Sequence, residues 1–319
     1  MTTSRYRIVF FGTPEFAVPS LQALLDGADT VVGVVCQPDR PAGRGQRLHA
    51  PPVKELAVAR ELPLVQPEKL RTSEFGAQLE RWHPDLIVVA AYGRILPKAV
   101  LDLPRLGCIN VHASLLPRYR GAAPVQWAIL RGETVTGVTI MFMNERMDEG
   151  DILLQREMPI GDDETYGETE ERLAVVGATT LMEALDLLHA GRLARQPQDH
   201  AAATLAPMIK KEDGRIGWSA PALEIARKVR AFNPWPSAFT SFRGKMLKIH
   251  RARPEAASVA ATPGVIVSIG DTIRVATGSG TLAIEELQLE GRKRLRAAEF
   301  ARAGVLLPGL RLGENGLDP

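Results

Sequence analysis

The strongest constraint on this chain is the order of its apolar runs. Residues 7–11, 30–36, 86–91, 108–111, 135–143 and 152–158 are short and rich in Val, Ile and Leu. Helix-like stretches at 16–26, 52–60 and 74–82 separate the early ones. A run such as Leu86-Ile87-Val88-Val89-Ala90 has no polar alternation. It must therefore be buried on both faces, which a sheet achieves when crossover helices cover it. The pattern predicts an α/β fold, a Rossmann-like and mostly parallel sheet with helices on both faces. In such sheets ligands bind beyond the carboxyl ends of the strands, near the point where strand order reverses. A long helix is expected over 168–189, where Leu and Ala recur on one face.

The pattern breaks at 195–207, which is polar, holds two prolines and has no periodicity. This stretch reads as a linker. A helix over 222–232 is stopped by Pro234 and Pro236. Short strands are then expected at 238–242, 246–252, 264–268, 272–276 and 281–288. Turn signals at Arg243-Gly244, Gly270-Asp271 and Gly278-Ser279-Gly280 lie between them. Five short strands with tight turns predict a smaller C-terminal β-barrel of the oligonucleotide-binding (OB-like) type. The expected division is a catalytic α/β domain over 1–194, a linker over 195–210 and the β-barrel domain over 211–319.

Charge separates the two parts. Residues 211–319 carry 17 Lys and Arg against 11 acids, whereas residues 1–210 carry 22 against 26. A basic second domain suits a polyanionic partner such as RNA, with an ordinary solvated surface as the alternative. No apolar run approaches the length of a membrane span, and no secretory leader is visible, so a cytoplasmic location is expected. Cys36 and Cys108 interrupt apolar runs. They read as reduced core thiols, because an apolar strand interior disfavours a reactive thiolate.

The chemistry is concentrated in two places. Asn110-Val111-His112-Ala113-Ser114-Leu115-Leu116-Pro117 begins where a buried strand leaves the sheet. Alternation puts Asn110 and His112 on one side of that strand. An amide and an imidazole pointing together into a crevice can stabilise an oxyanion growing on an attacked carbonyl. A histidine satisfied at a strand end is the plainer alternative. The second place is Met147-Asp148-Glu149-Gly150-Asp151, with three carboxylates in four residues. One of them could orient the imidazole and relay protons, although a solvated turn has the same composition. No second His or Cys cluster accompanies them, so no metal is expected.

Together these segments resemble the folate-dependent formyltransferase family. The resemblance rests on the Asn-x-His ending a strand, the Ser-Leu-Leu-Pro that follows, Arg120-Gly121, and the Asp in Met-Asp-x-Gly-Asp. It extends to Phe11-Gly12-Thr13-Pro14-Glu15-Phe16-Ala17, to Gln37-Pro38-Asp39-Arg40-Pro41-Ala42-Gly43-Arg44-Gly45, to Ala91-Tyr92-Gly93-Arg94-Ile95-Leu96-Pro97 and to Arg230-Ala231-Phe232-Asn233-Pro234-Trp235-Pro236. It therefore covers nearly the whole chain. The resemblance implies Asn110, His112 and Asp148 as the catalytic trio. It implies Ser114, Leu115, Leu116 and Pro117 as folate-binding residues, with the Val88 to Tyr92 region as a wall of the pterin slot. It implies 10-formyltetrahydrofolate as a formyl donor consumed as co-substrate, with no metal and no tightly held cofactor. A monomer is expected.

The acceptor is suggested by residues 37–50, which hold Arg40, Arg44 and Arg47 and one acid. Spaced arginines pair with phosphates and stack on bases. Composition alone leaves a merely solvated loop open. The resemblance implies that this loop enters the acceptor stem of initiator methionyl-tRNA, with Arg44 as its leading residue. Where relatives acting on a small ribonucleotide amine carry a Gly-rich phosphate loop, this chain reads Phe11-Gly12-Thr13-Pro14-Glu15. Pro14 lacks an N–H and Glu15 repels phosphate, so a mononucleotide is poorly served. Three rivals remain at this stage: a formyltransferase for a nucleotide-linked amino sugar, a non-catalytic RNA-binding relative, and a hydrolase passing the formyl group to water.

Overall fold

Strand β1 (Arg7–Gly12) is buried along almost its whole length and pairs in parallel with a strand on each side. Its unbroken apolar sequence requires that position. The computed structural model describes residues 6–42, 47–256, 259–302 and 304–314. After β1 come α1 (Val18–Asp26), β2 (Thr30–Val35), β3 (Arg40–Ala42), β4 (Arg47–His49), α2 (Pro52–Ala59), β5 (Leu64–Val65) and α3 (Ser73–Trp82). Then follow β6 (Leu86–Ala90), α4 (Lys98–Leu101), β7 (Cys108–His112), α5 (Pro124–Arg131), β8 (Val135–Phe142), β9 (Ile152–Pro159) and α6 (Tyr166–His189).

The main sheet runs β5-β2-β1-β6-β7-β8-β9. Its first five strands are parallel, and β8 and β9 are antiparallel additions. The chain builds outward from β1 through β2 to β5, then returns to the other side of β1 with β6. The switch point therefore lies between β1 and β6, and the expected Rossmann-like, mostly parallel sheet is present. Val9, Phe11, Ile87, Val89 and Cys108 form one core with Phe75, Leu79 and Trp82 of α3.

Two compact units emerge. One takes Val135–Pro159 and Glu170–Pro207 besides the N-terminal residues to Pro124. The other takes Val125–Thr134, Ile160–Thr169 and the residues from Met208 onward. The second unit holds α7 (Ala222–Ala231), β10 (Ala238–Phe242), β11 (Lys245–Glu255), β12 (Ile266–Ile269), β13 (Ile273–Ala276), β14 (Thr281–Leu289), β15 (Leu295–Arg296) and α8 (Ala297–Arg302). Its strands form an antiparallel sheet in the order β10-β11-β14-β13-β12, with β15 on β14. Ile225 and Val229 of α7 join Leu247, Ile249, Val275, Leu282 and Leu287 in its core. The turn between β10 and β11 uses Arg243 at φ 49° and Gly244 at φ 72°. Two consecutive left-handed residues make the two-residue hairpin that Arg-Gly signalled.

Residues 37–50 depart from the expected structureless loop. Arg40 pairs with His49, Pro41 with Leu48 and Ala42 with Arg47 in a short hairpin. Backbone pairing rather than apolar alternation holds it, and Leu48 stays 70% exposed, so no periodic signal marked it. Helices α4 and α5 and strand β5 were likewise unannounced, being four, eight and two residues long.

Candidate active site

Strand β7 delivers the central side chains. Val111 faces away from Asn110 and His112, and its neighbours β6 and β8 are hydrogen-bonded along it. His112 ends the strand almost fully buried. Its Nε2 lies 3.1 Å from the Tyr119 carbonyl. Its Nδ1 lies 3.8 Å from Asp148 Oδ2. A carbonyl can only accept, so Nε2 carries the proton toward Tyr119, and Nδ1 stands beside the carboxylate without a hydrogen bond to it. Asn110 is half-buried on the same strand face, and its carboxamide makes no hydrogen bond among the described residues. An amide left unpaired there is available to a ligand.

The loop between β8 and β9 resolves which carboxylate meets the imidazole. Asp148 faces His112, and its Oδ2 also accepts the Gly121 N–H at 2.9 Å. Glu149 turns instead toward Arg120, with Oε1 at 3.5 Å from Nη1. The Asp151 carbonyl accepts the Phe142 N–H. Gly121 can occupy its position only as glycine. Its φ is +123°, and a Cβ there would sit 2.6 Å from the Ala206 carbonyl oxygen.

Three non-glycine residues in left-handed conformation mark this region: Ala91 at φ 44°, Tyr119 at 62° and Asp148 at 54°. Such residues cost about 1–3 kcal/mol each and persist where surrounding contacts over-determine them. Ala91 follows β6, Tyr119 supplies the carbonyl on His112, and Asp148 supplies its carboxylate. Ala91 and Tyr119 lie on segments leaving the carboxyl ends of the parallel strands β6 and β7, as the switch-point rule anticipates, whereas Asp148 comes from the loop between the antiparallel strands β8 and β9.

The Ser-Leu-Leu-Pro segment is tied down tightly. Ser114 Oγ donates to the Arg118 carbonyl at 2.7 Å, and Thr139 Oγ1 donates to the Ser114 carbonyl at 2.6 Å. The Leu116 N–H donates to Thr139 Oγ1, and Gln155 Nε2 donates to the Leu116 carbonyl. Ser114 and Leu116 are buried, whereas Leu115 and Pro117 are half-exposed. The Leu116–Pro117 peptide is cis. In the Val88 to Tyr92 region, Ala91 alone is exposed. Tyr92 is buried, its ring edge-on to Phe11 at 5.2 Å, and burial pushes its phenol up to about 12.

Among the arginine candidates, Arg40 is exposed and donates to Gln37 Oε1 at 2.8 Å. Gln37 Nε2 in turn donates to the Tyr92 carbonyl. The root of the hairpin is fixed by Lys54 and Gln66, which both hold the Asp39 carboxylate. Those bonds, Gln66 first, hold that carboxyl below its ordinary range. Arg44 lies outside the described residues, and Arg47 contributes its backbone to β4.

Both cysteines are free and buried. Burial pushes Cys108 up to about 12 and Cys36 to about 11, so neither is poised as a nucleophile. Among the described residues, no cluster of three or more His, Cys, Asp or Glu is placed to hold a metal. No described helix is long and apolar enough to cross a membrane.

Sequence reasoning did not single out the Tyr119 carbonyl, the Gly121 N–H or Gln198. Gln198 Nε2 donates to the carbonyls of Asp148 and Gly150 at 2.9 and 2.7 Å. It lies in the polar, Pro-containing stretch read as a linker, where composition carries no sign of such a bond. The alternation around His112 was the available signal for Asn110, and Gly121 carried a weaker one as glycine beside a motif.

A mostly parallel sheet with an amide, an imidazole and a carboxylate gathered about the end of one strand has the groups that could stabilise an oxyanion at an attacked carbonyl. The particular chemistry follows from comparison. The chain belongs to the formyl transferase family: a model described as formyl transferase matches residues 6–185, and one described as formyl transferase, C-terminal domain, matches residues 208–304. It is 51% identical over 311 residues to a methionyl-tRNA formyltransferase of Geobacter sulfurreducens, covering 97% of this chain and 98% of the relative. Similar folds include a sugar 3N-formyl transferase, WlaRD, at a TM-score of 0.66 and 17% identity, covering 91% of this chain and all of that one. HypX from Aquifex aeolicus, crystallised with tetrahydrofolic acid, aligns at a TM-score of 0.62 and 20% identity. The match covers 93% of this chain but 47% of HypX.

Proposed function

We propose that this protein transfers the formyl group of 10-formyltetrahydrofolate to the α-amine of initiator methionyl-tRNA, giving N-formylmethionyl-tRNA for translation initiation in the cytoplasm. The observation that carries this reading is the His112–Asp148 pair at the end of β7, with the unpaired Asn110 amide on the same strand face. A relative sharing half of its residues along nearly the full chain supports the choice of acceptor.

The α-amine has a pKa of roughly 8, so enough of it is neutral near pH 7 to attack without a strong base. Its nitrogen bonds to the formyl carbon, and the carbonyl pair moves onto oxygen. Asn110 donates to that oxyanion, and protonated His112 adds a second donor through Nδ1, which at 3.8 Å from Asp148 makes no hydrogen bond there. Asp148 holds the imidazolium and takes up the proton shed by the attacking amine. Collapse of the intermediate re-forms the carbonyl and breaks the bond to N10, which takes the proton from Asp148 and leaves as tetrahydrofolate. Ser114, Leu115, Leu116 and Pro117 shape the folate site, and folate is a co-substrate rather than a resident cofactor. Arg40, Arg44 and Arg47 contact the acceptor stem, and the first unit carries the chemistry.

The second unit supplies a basic surface for the tRNA. Arg251 pairs with Glu168, Arg253 with Glu285, and Arg294 with Glu286. No carboxylate partner is found for Lys245, Lys248, Arg292 or Lys293 among the described residues. Those four, with Arg243 and Arg296, which also hold no carboxylate among the described residues, are free to meet phosphate, which would fix register without reading sequence.

The test is to incubate the protein with 10-formyltetrahydrofolate and charged initiator tRNA and to look for N-formylmethionine. A nucleotide-linked amino sugar added as competitor separates the nearest rival. Formylation of the sugar in preference to the tRNA would overturn the acceptor, and no formylation of either would overturn the activity.

A further inference from the structure

A buried polar chain stands behind Asp148. The Arg120 guanidinium is almost fully buried, with 7% of its side chain exposed. Its Nε and Nη2 both donate to Gln198 Oε1, at 3.1 and 2.8 Å. The Gln198 amide uses its two hydrogens on the carbonyls of Asp148 and Gly150. Every hydrogen-bonding position of that amide is thereby filled, two accepted and two donated. Its orientation is not ambiguous, since a guanidinium can only donate and therefore faces oxygen. Glu149 Oε1 and His200 Nδ1 complete the surroundings of the arginine, at 3.5 and 3.0 Å.

A loop that needed only an anchor could use an apolar side chain at less cost. Burying a charged group with one loosely placed carboxylate is not a source of net stability. What the polar chain adds is direction. It fixes the carbonyl of the left-handed Asp148 itself and that of Gly150 two residues on, and so sets where the carboxylate points. Arg120 is also held in place by its own backbone, which pairs with Thr204 and Ala206 on both sides.

We propose that Arg120 and Gln198 are positioning residues that act through Asp148, the guanidinium orienting the amide and the amide aiming the carboxylate at His112. This rests on the reading of Asp148 as part of the formyl-transfer site.

The experiment is a double-mutant cycle in the full-length protein, read by steady-state formylation of methionyl-tRNA. Gln198→Leu removes the chain. Gln198→Glu keeps the size and the contacts to Arg120 but donates nothing to the loop, and serves where the leucine variant is poorly folded. Each is made alone and on an Asp148→Asn background. Misplacing a reacting group by about an ångström costs up to roughly a hundredfold. The expected result is therefore a fall in kcat of about ten- to a hundredfold. KM for both substrates should stay within about threefold, and the loss should vanish on the Asp148→Asn background. The same fold-loss on both backgrounds would show a merely structural role and overturn the proposal. So would full turnover in both Gln198 variants while Asp148→Asn is crippled, leaving the formyl-transfer reading intact. A wild-type protein that forms no N-formylmethionyl-tRNA, or an Asp148→Asn variant with full turnover, would bring down that reading and this proposal with it.

Discussion

The two units spend their polar side chains differently. In the first, His112, Ser114, Arg120, Thr139 and Gln198 are all buried, and each is bound to backbone or to another of the set. In the second, the cations lie toward the surface. Some hold acids, as Arg274 holds Glu255, and others hold no carboxylate among the described residues. Burial makes the first set directional, since an unmet bond there costs about 1–3 kcal/mol. Exposure leaves the second set adjustable and screened by salt. The lesson is that damage in the first unit should appear as lost turnover, and damage in the second as lost affinity.

The sharpest way to break that contrast is at β7. Asn110→Ala or His112→Ala should lower kcat by at least about 10²–10³, as loss of an oxyanion donor does elsewhere, with the circular dichroism spectrum unchanged. Near-wild-type turnover in either would end the assignment. Next comes Gly150→Ala, whose Cβ would lie 1.8 Å from the Phe142 carbonyl oxygen. Backbone cannot yield at that distance, so the loop must move. A loss of about 2–3 kcal/mol in urea denaturation is expected, together with reduced formylation. A fully stable, fully active variant would show that the loop is not held as described.

In the second unit, Lys245→Ala combined with Lys248→Ala should raise KM for tRNA several-fold and leave kcat unchanged. Each phosphate contact removed should flatten the salt dependence of tRNA affinity by about one in log–log slope. An unchanged slope would place the RNA elsewhere.

The smallest effect concerns Glu168, which caps the start of α6. Its Oε2 accepts the Thr165 N–H at 2.8 Å and the Thr165 hydroxyl at 2.7 Å. These bonds, the backbone one foremost, hold its carboxyl below the ordinary range, with Arg251 adding to the effect. A depressed carboxyl contributes stability that is complete above its unfolded value, near 4.3, and disappears as pH falls through the folded value. Glu168→Gln should therefore cost about 0.5–1 kcal/mol at pH 7, at the low end because the group is half-exposed, and progressively less below about pH 4. Chemical denaturation at both pH values checks this, and an equal cost at both would refute the charge argument.

Six of the seven strands of the main sheet were legible to within a residue or two, β5 being the exception, because a buried strand has to be written largely in Val, Ile and Leu. The hairpin turn at Arg243-Gly244 was legible because it needs positive φ. The hairpin at 40–49 was not, since three-residue strands held by backbone bonds leave no periodic trace. Alternation put Asn110 and His112 on one face. Which of three neighbouring carboxylates meets the imidazole was not written in the composition of Asp148-Glu149-Gly150-Asp151. The family resemblance pointed to Asp148, and the loop geometry gives a physical account of that choice.

The chain's apolar spacing by itself dictated a covered, mostly parallel sheet and an antiparallel appendage, because burial and backbone geometry act locally and repeat. Only tertiary packing decided that Tyr119 offers its carbonyl to His112, that Gly121 reaches the Asp148 carboxylate, and that Gln198 stands behind Asp148. Those contacts join residues up to 50 positions apart through backbone atoms and one amide. Every residue has those backbone atoms, so no choice of side chain announces them in advance.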